Sequence, residues 1–501
     1  MVSLSLRQAG WGIVLFVAAI FLVTAALRFS ALHLTYTHPD EPIAIGVVSG
    51  ILKSGSLDTN WALYDVGMHR RPQYNFSSYL LMLAGLGLTY SKLVGALPDL
   101  QFLRAVSMAA GALLVPLIFI LGRWIYGRTA GLLAAALTAV SPQLFQDSLY
   151  ARPESIFTLL FLTALVISVA PLSRPELRLC VSSFIMGVLV ATKISALTVA
   201  PLPLLIFWLQ EGRVRWSPAF SCALGGALGF VAGVPYIVKN YDAYWQGIAH
   251  LLNAYHGVNL GGPTGLRHAS LWDRIVYMAG FVFPTLGPAA ILLFVWGSIF
   301  AAVRRNFIAL ALAVLALANL VYFGTMPKFI ERNFSHVLPL LFLIAAGGFA
   351  DLTARIRPQG VRALAAFSVL VVAVWPAASL VYTMRFYVLS GGYDTYIESV
   401  RNDVRRQYPG PYMVWPNLVY GQNLMGYINA HMASISAPLN IEFLHYDDRF
   451  SEKTLQEFLA TYPATLITRI DSPFKHISPS TMEAYLAPSH PIYRIEGKLA
   501  D

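Results

Sequence analysis

The chain has 501 residues, 57% hydrophobic and only 12% charged, with a mean hydropathy of +0.60. That balance excludes an ordinary water-soluble enzyme, because it supplies far more apolar length than one buried core uses. The net charge of +10 does not indicate a nucleic-acid binder either, since the arginines fall in short clusters between apolar runs, as membrane topology requires.

A crossing takes about 20 residues to traverse about 30 Å of hydrocarbon. By that measure eleven spans are expected, over 9–29, 105–122, 130–146, 154–171, 179–192, 195–210, 217–237, 276–301, 306–323, 333–350 and 363–383. Residues 11–27 resemble a signal-peptide core, but no small-residue cleavage site follows, and Arg7 precedes the run as the cytosolic anchor of a first span. Cys180 and Cys222 both lie inside apolar runs and leave the redox compartment open.

With a cytosolic amino terminus, the pairs Arg123 and Arg128, Arg174 and Arg178, Arg213 and Arg215, and Arg304 and Arg305 fall inside, as do Arg355, Arg357 and Arg362. The stretch Phe76 to Leu97 is therefore expected to lie in the interface, because a full crossing there would put every later pair outside. A first outer loop then covers 30–104, and the outer side also receives Gln146 to Pro153, the neighbourhood of Lys193, 238–275 and Gly324 to Arg332. The expected fold is an all-α polytopic membrane module over 1–384, with amphipathic juxtamembrane helices in the first outer loop, followed by a small water-soluble α/β domain over 385–501. In that tail Tyr412 to Trp415 and Ala464 to Thr468 read as strands, and Ser451 to Thr461 as a helix opened by a Ser N-cap.

Acids are scarce, so their placement carries information. Asp40 and Glu41 adjoin in His38-Pro39-Asp40-Glu41-Pro42, and positions 44, 47, 48, 51 and 52 beyond them form one helical face. Asp40 is expected to cap this helix, whose dipole favours the ionised acids and leaves a ready base; a plain cap is the competing reading. A second cluster, Asp147, Tyr150, Arg152, Pro153 and Glu154, crowds one short outer turn. Lys193 interrupts a long apolar stretch and is a functional candidate at that depth, with snorkelling to the surface as the alternative. Lys328, Arg332 and His336 are spaced i, i+4, i+8, so on a helix they share one face, suited to the phosphate of a lipid headgroup. His250, His256, Arg267 and His268 receive no role. No glycine-rich phosphate loop, His-Glu-x-x-His or serine elbow is present.

The acidic pair in the first outer loop, the Arg-Pro-acid turn and the basic turn followed by Leu338-Pro339-Leu340-Leu341 resemble the GT-C membrane glycosyltransferases, in the branch of protein O-mannosyltransferases and aminoarabinose transferases. The resemblance covers roughly residues 10–350. It implies a polyprenyl-phosphate sugar donor, an acid at Asp40 that activates a hydroxyl acceptor, and cations that bind the donor phosphate. The family's second-loop acid is often Asp, whereas Glu154 follows Arg152-Pro153 here, so Asp147 stays a rival for that role. The tail is too short for the sugar-binding repeat domain of the eukaryotic enzymes.

The expected function is thus an integral inverting glycosyltransferase acting on the non-cytosolic face of the plasma membrane, with Asp40 as base and Glu41 beside it. Arg152, Lys193, Lys328, Arg332 and His336 are the expected phosphate contacts. Glu41 and Glu154 either orient acceptor and cations or join Asp40 around a magnesium or manganese ion, and metal dependence stays open. The rival reading is a transporter of lipid-linked sugars, which requires charges near the bilayer midplane.

Overall fold

The computed structural model describes residues 11–33, 40–66, 72–171, 174–255, 270–326, 331–355, 372–381 and 384, with strands at 412–414, 464–471 and 489–495. Among the described residues helices run in order as α1 (Trp11–Phe29), α2 (Glu41–Ser54), α3 (Ser77–Val94), α4 (Leu100–Ile125), α5 (Arg128–Ala139), α6 (Pro142–Ser148) and α7 (Pro153–Val169), then α8 (Pro175–Thr192), α9 (Leu202–Glu211), α10 (Trp216–Gly233), α11 (Tyr241–Tyr255), α12 (Leu271–Val303), α13 (Phe307–Gly324) and α14 (Leu338–Arg355), with a shorter apolar helix at Val372–Val381.

Seven helices among the described residues are long and apolar enough to cross a membrane, and α6 with α7, bent by 116°, adds an eighth if the pair is one span. The expected span 130–146 is replaced by α5, which at 12 residues reaches only about 18 Å, and by the start of α6. Ser141 opens α6 as N-cap, its hydroxyl accepting from Leu144 N, and Pro142 at the first helical position starts a new axis. Helix α3, expected in the interface, is not among the seven, and the expected span 363–383 lies largely outside the described residues.

The core gathers around α14, buried without a break from Leu338 to Phe349, with inward faces of α4, α5, α7 and α13 against it. Helix α1 is peripheral, with Trp11, Leu15, Phe16, Leu22 and Val23 exposed, as suits a lipid-facing span. Helix α10 lies along α8 at close range. A Cβ on Gly229 would stand 1.9 Å from the Phe184 carbonyl oxygen, and one on Gly187 2.0 Å from that of Gly226, so only glycine allows these backbones to meet.

Helix α2 is amphipathic as its pattern requires, burying Ile43, Ala44, Val47, Val48 and Ile51 against α3 and α4, and Gly55 in the left-handed region (φ 70°) ends it. In the tail the strands Tyr412–Val414, Ser489–Ile495 and Ala464–Asp471 form an antiparallel sheet with Ser489–Ile495 at its centre. The expected helix Ser451 to Thr461 lies outside the described residues.

Candidate active site

Four pieces of chain meet at one end of the helix bundle: the start of α2, the turn between α6 and α7, the break after α8, and the segment before α14. Asp40 stands at the N-cap position of α2 with Pro42 in the first turn, but its carboxylate makes no capping bond. Its Oδ2 lies 3.1 Å from Arg332 Nη2 instead. Of the two readings of Asp40, the plain cap lacks its hydrogen bond.

Glu41 turns the other way and is fully buried. Its Oε1 accepts from Arg104 Nε and from the Ala151 amide, both at 2.8 Å, and its Oε2 accepts from Arg104 Nη2 at 2.7 Å. One carboxylate thereby ties α2 to α4 and to the α6–α7 turn. Arg104 was invisible to sequence reasoning, being one arginine in an apolar helix.

In that turn Asp147 accepts from Gln143 Nε2 at 3.0 Å, from Arg152 Nη2 at 3.3 Å and from the Ser335 hydroxyl. Arg152 Nε is 3.4 Å from Glu154 Oε2, and its guanidinium lies 5.0 Å from the centre of the Tyr150 ring. Arg152 is 0% exposed, which corrects its expected role: it neutralises Asp147 and Glu154 from inside and offers no surface to a phosphate.

Lys193 sits at the junction of α8 and a 3-10 turn over Ile194–Thr198, in extended backbone. There it does not snorkel away, and Nζ donates to Glu154 Oε1 at 2.6 Å. The same oxygen is 3.8 Å from Arg332 Nε. Arg332 and Lys193 keep 13% and 14% of their side chains exposed, so these two cations are placed to meet a ligand. They line a small cleft, together with Glu154, Ser195, Asn333 and His336.

Of the expected cationic stripe, Lys328 lies outside the described residues; Arg332 stands in a 3-10 turn over Glu331–Phe334, so Arg332 and His336 do not take the i, i+4 alignment of an α-helix. His336 is buried edge-on between Phe157 and Phe161, at 5.2 and 5.5 Å. Burial, with Lys193 nearby and a partial offset from the Asn333 backbone, pushes its imidazole down to about 3. It is a neutral wall of the cleft, not a phosphate-binding cation.

Among the described residues no three His, Cys, Asp or Glu side chains come together as a metal site. Asp40, Glu41 and Glu154, the expected ligand set, are each held by a guanidinium or an ammonium, so these residues do not fit a shared divalent ion.

Residues 77–238 match the family described as dolichyl-phosphate-mannose-protein mannosyltransferase, a stretch holding Asp147, Arg152, Glu154 and Lys193. No curated protein sequence matches the chain at a significant level. Among solved structures, ArnT from Cupriavidus metallidurans bound to undecaprenyl phosphate is similar over 97% of this chain and 98% of its own, at 14% identity and a TM-score of 0.52. The apo oligosaccharyltransferase of Archaeoglobus fulgidus is similar over 81% of this chain at 13% identity and a TM-score of 0.50, and the chain spans 59% of its length. With the acids and cations at one end of such a bundle, the chain is a multi-span membrane protein that shares the fold of these two solved structures.

Proposed function

We propose that the protein transfers a sugar, with inversion, from a polyprenyl-phosphate donor to a hydroxyl acceptor on the outer face of the plasma membrane. The observation that carries this reading is the cleft in which Arg332 and Lys193, both partly exposed, converge on Glu154 while Arg332 also reaches Asp40. Two cations whose side chains are mostly buried suit a phosphate, and the structurally similar ArnT is bound to undecaprenyl phosphate. The Asp40 carboxylate, 3.1 Å from Arg332, supports the reading of Asp40 as the base.

Asp40 takes the proton of the acceptor hydroxyl as that oxygen attacks the anomeric carbon, and the polyprenyl phosphate leaves from the opposite side. Lys193 and Arg332 hold the leaving phosphate. Glu41 and Arg104 are positioning residues that fix the start of α2, and Asp147 and Arg152 fix the acidic turn. The charges gather at one end of the bundle, not at its middle as a transporter of lipid-linked sugars requires.

Asp40→Asn tests the assignment, because Asn has nearly the shape of Asp, there is no capping bond to lose, and the proton acceptor is removed. Turnover of a polyprenyl-phosphate sugar by purified protein is expected to fall about a hundredfold or more with the thermal midpoint unchanged. Near-normal turnover under chemistry-limited conditions would return Asp40 to a structural role.

A further inference from the structure

We propose that Arg332 serves the base and the leaving phosphate in turn, as one cation shared between two anions that never need it together. This rests on the function proposed above. Its geometry is that Nη2 contacts Asp40 at 3.1 Å, Nε faces Glu154 at 3.8 Å, and the side chain forms part of the cleft wall.

The reaction moves one negative charge. The donor is a phosphodiester with one charge, and Asp40 begins ionised. The acceptor O–H bond breaks and its proton goes to Asp40. The acceptor oxygen bonds to the anomeric carbon, and the carbon–oxygen bond to phosphate breaks with its electron pair staying on the phosphate oxygen. Asp40 ends neutral and the phosphate ends as a doubly charged monoester. Total charge is conserved while its location shifts from carboxylate to phosphate.

The described lining of the cleft holds two cations, Lys193 and Arg332, and of these Arg332 is the one that contacts the acid whose charge is lost in the reaction. Protonation of Asp40 frees the guanidinium at the moment the phosphate gains charge. Lys193 cannot play this part, being drawn to Glu154 at 2.6 Å, an acid that takes no proton in the reaction. Partial exposure of both Arg332 and Asp40 leaves the guanidinium room to turn, whereas the fully buried Arg152 is fixed.

Asp40 and a bound phosphate therefore compete for Arg332, and abolishing the Asp40 charge tightens phosphate binding. Removing a side chain that merely shaped the site would weaken it. The probe is undecaprenyl phosphate, titrated against the full chain in detergent. Asp40→Asn, which imitates protonated Asp40, and Asp40→Ala are both expected to bind it about fivefold more tightly than the unaltered protein, or roughly 1 kcal/mol at 1.4 kcal/mol per tenfold. In an Arg332→Gln background the same two substitutions are expected to change nothing. If the unaltered protein binds the lipid but both Asp40 variants bind it equally or more weakly, the sharing of Arg332 is overturned and the proposed function stands. If the unaltered protein does not bind it at all, both fall.

Discussion

Glu41 and Arg104 are 63 residues apart in the chain and make a buried two-pronged ion pair, with charge-assisted bonds of 2.7 and 2.8 Å. Breaking such a pair leaves an uncompensated buried charge, which costs about 3 to 5 kcal/mol. Arg104→Ala is therefore expected to lower the thermal midpoint sharply in detergent, and Arg104→Lys to restore it only in part, since an ammonium cannot take both oxygens with the same fork. An unchanged midpoint for Arg104→Ala would show that the pair does not hold α2. His336 gives a second expectation. Its imidazole is pushed by burial down to about 3 from the ordinary 6.5, so between those values the unfolded chain takes up a proton that the folded chain does not. Stability is fully present above pH 6.5 and falls as pH drops through this window. Denaturation at pH 7 and pH 5 should show a smaller loss for His336→Gln than for the unaltered protein.

The contact between α8 and α10 exists because the side chains are missing where the backbones meet. Gly225, Gly229 and Gly233 recur every four residues along one face of α10, and at Gly229 an added Cβ would meet carbonyl backbone that cannot swing aside. Gly229→Val is expected to part the two helices and to disturb Lys193 at the end of α8, so folded yield and turnover should both fall. Gly85 offers the opposite case. It is exposed on α3 with nothing within 4 Å of an added Cβ, and Gly85→Ala should leave turnover unchanged while raising stability by about 0.5 to 1 kcal/mol. Equal behaviour of the two variants would mean that glycine serves α10 by something other than close approach.

Across the molecule, Arg174 and Lys193 stand at opposite ends of α8, and Arg332 and Arg355 at opposite ends of α14, so the topology proposed from the arginine pairs puts the site on the outer face. In a variant whose Cys180 and Cys222 are replaced, a single cysteine at Ser54 should react with an impermeant reagent from outside intact cells, and one at Thr129 should react only after the membrane is opened. Both positions are exposed. Labelling of Thr129→Cys in intact cells would invert the topology and place the site in the cytosol.

Hydropathy and charge scarcity made much of this legible. Apolar runs of crossing length gave the membrane class, Pro42 and the alternating faces of α2 gave a surface helix, and rare charges in apolar surroundings marked Asp40, Glu154, Lys193 and Arg332 because an idle charge there is costly. What the sequence could not supply was the partner of each charge. Asp40 and Glu41 are neighbours, yet one faces Arg332 and the other Arg104; Ser335 reaches Asp147 across 188 residues. Such pairings follow from how helices pack, and no local pattern encodes them. The alignment of Arg332 with His336 was illegible for a related reason, since periodicity assigns a face only if the segment is an α-helix, and Glu331–Phe334 form a 3-10 turn. Sequence alone determined which residues were costly enough to need a purpose; tertiary structure decided which of them meet, because burial and pairing depend on neighbours distant in the chain.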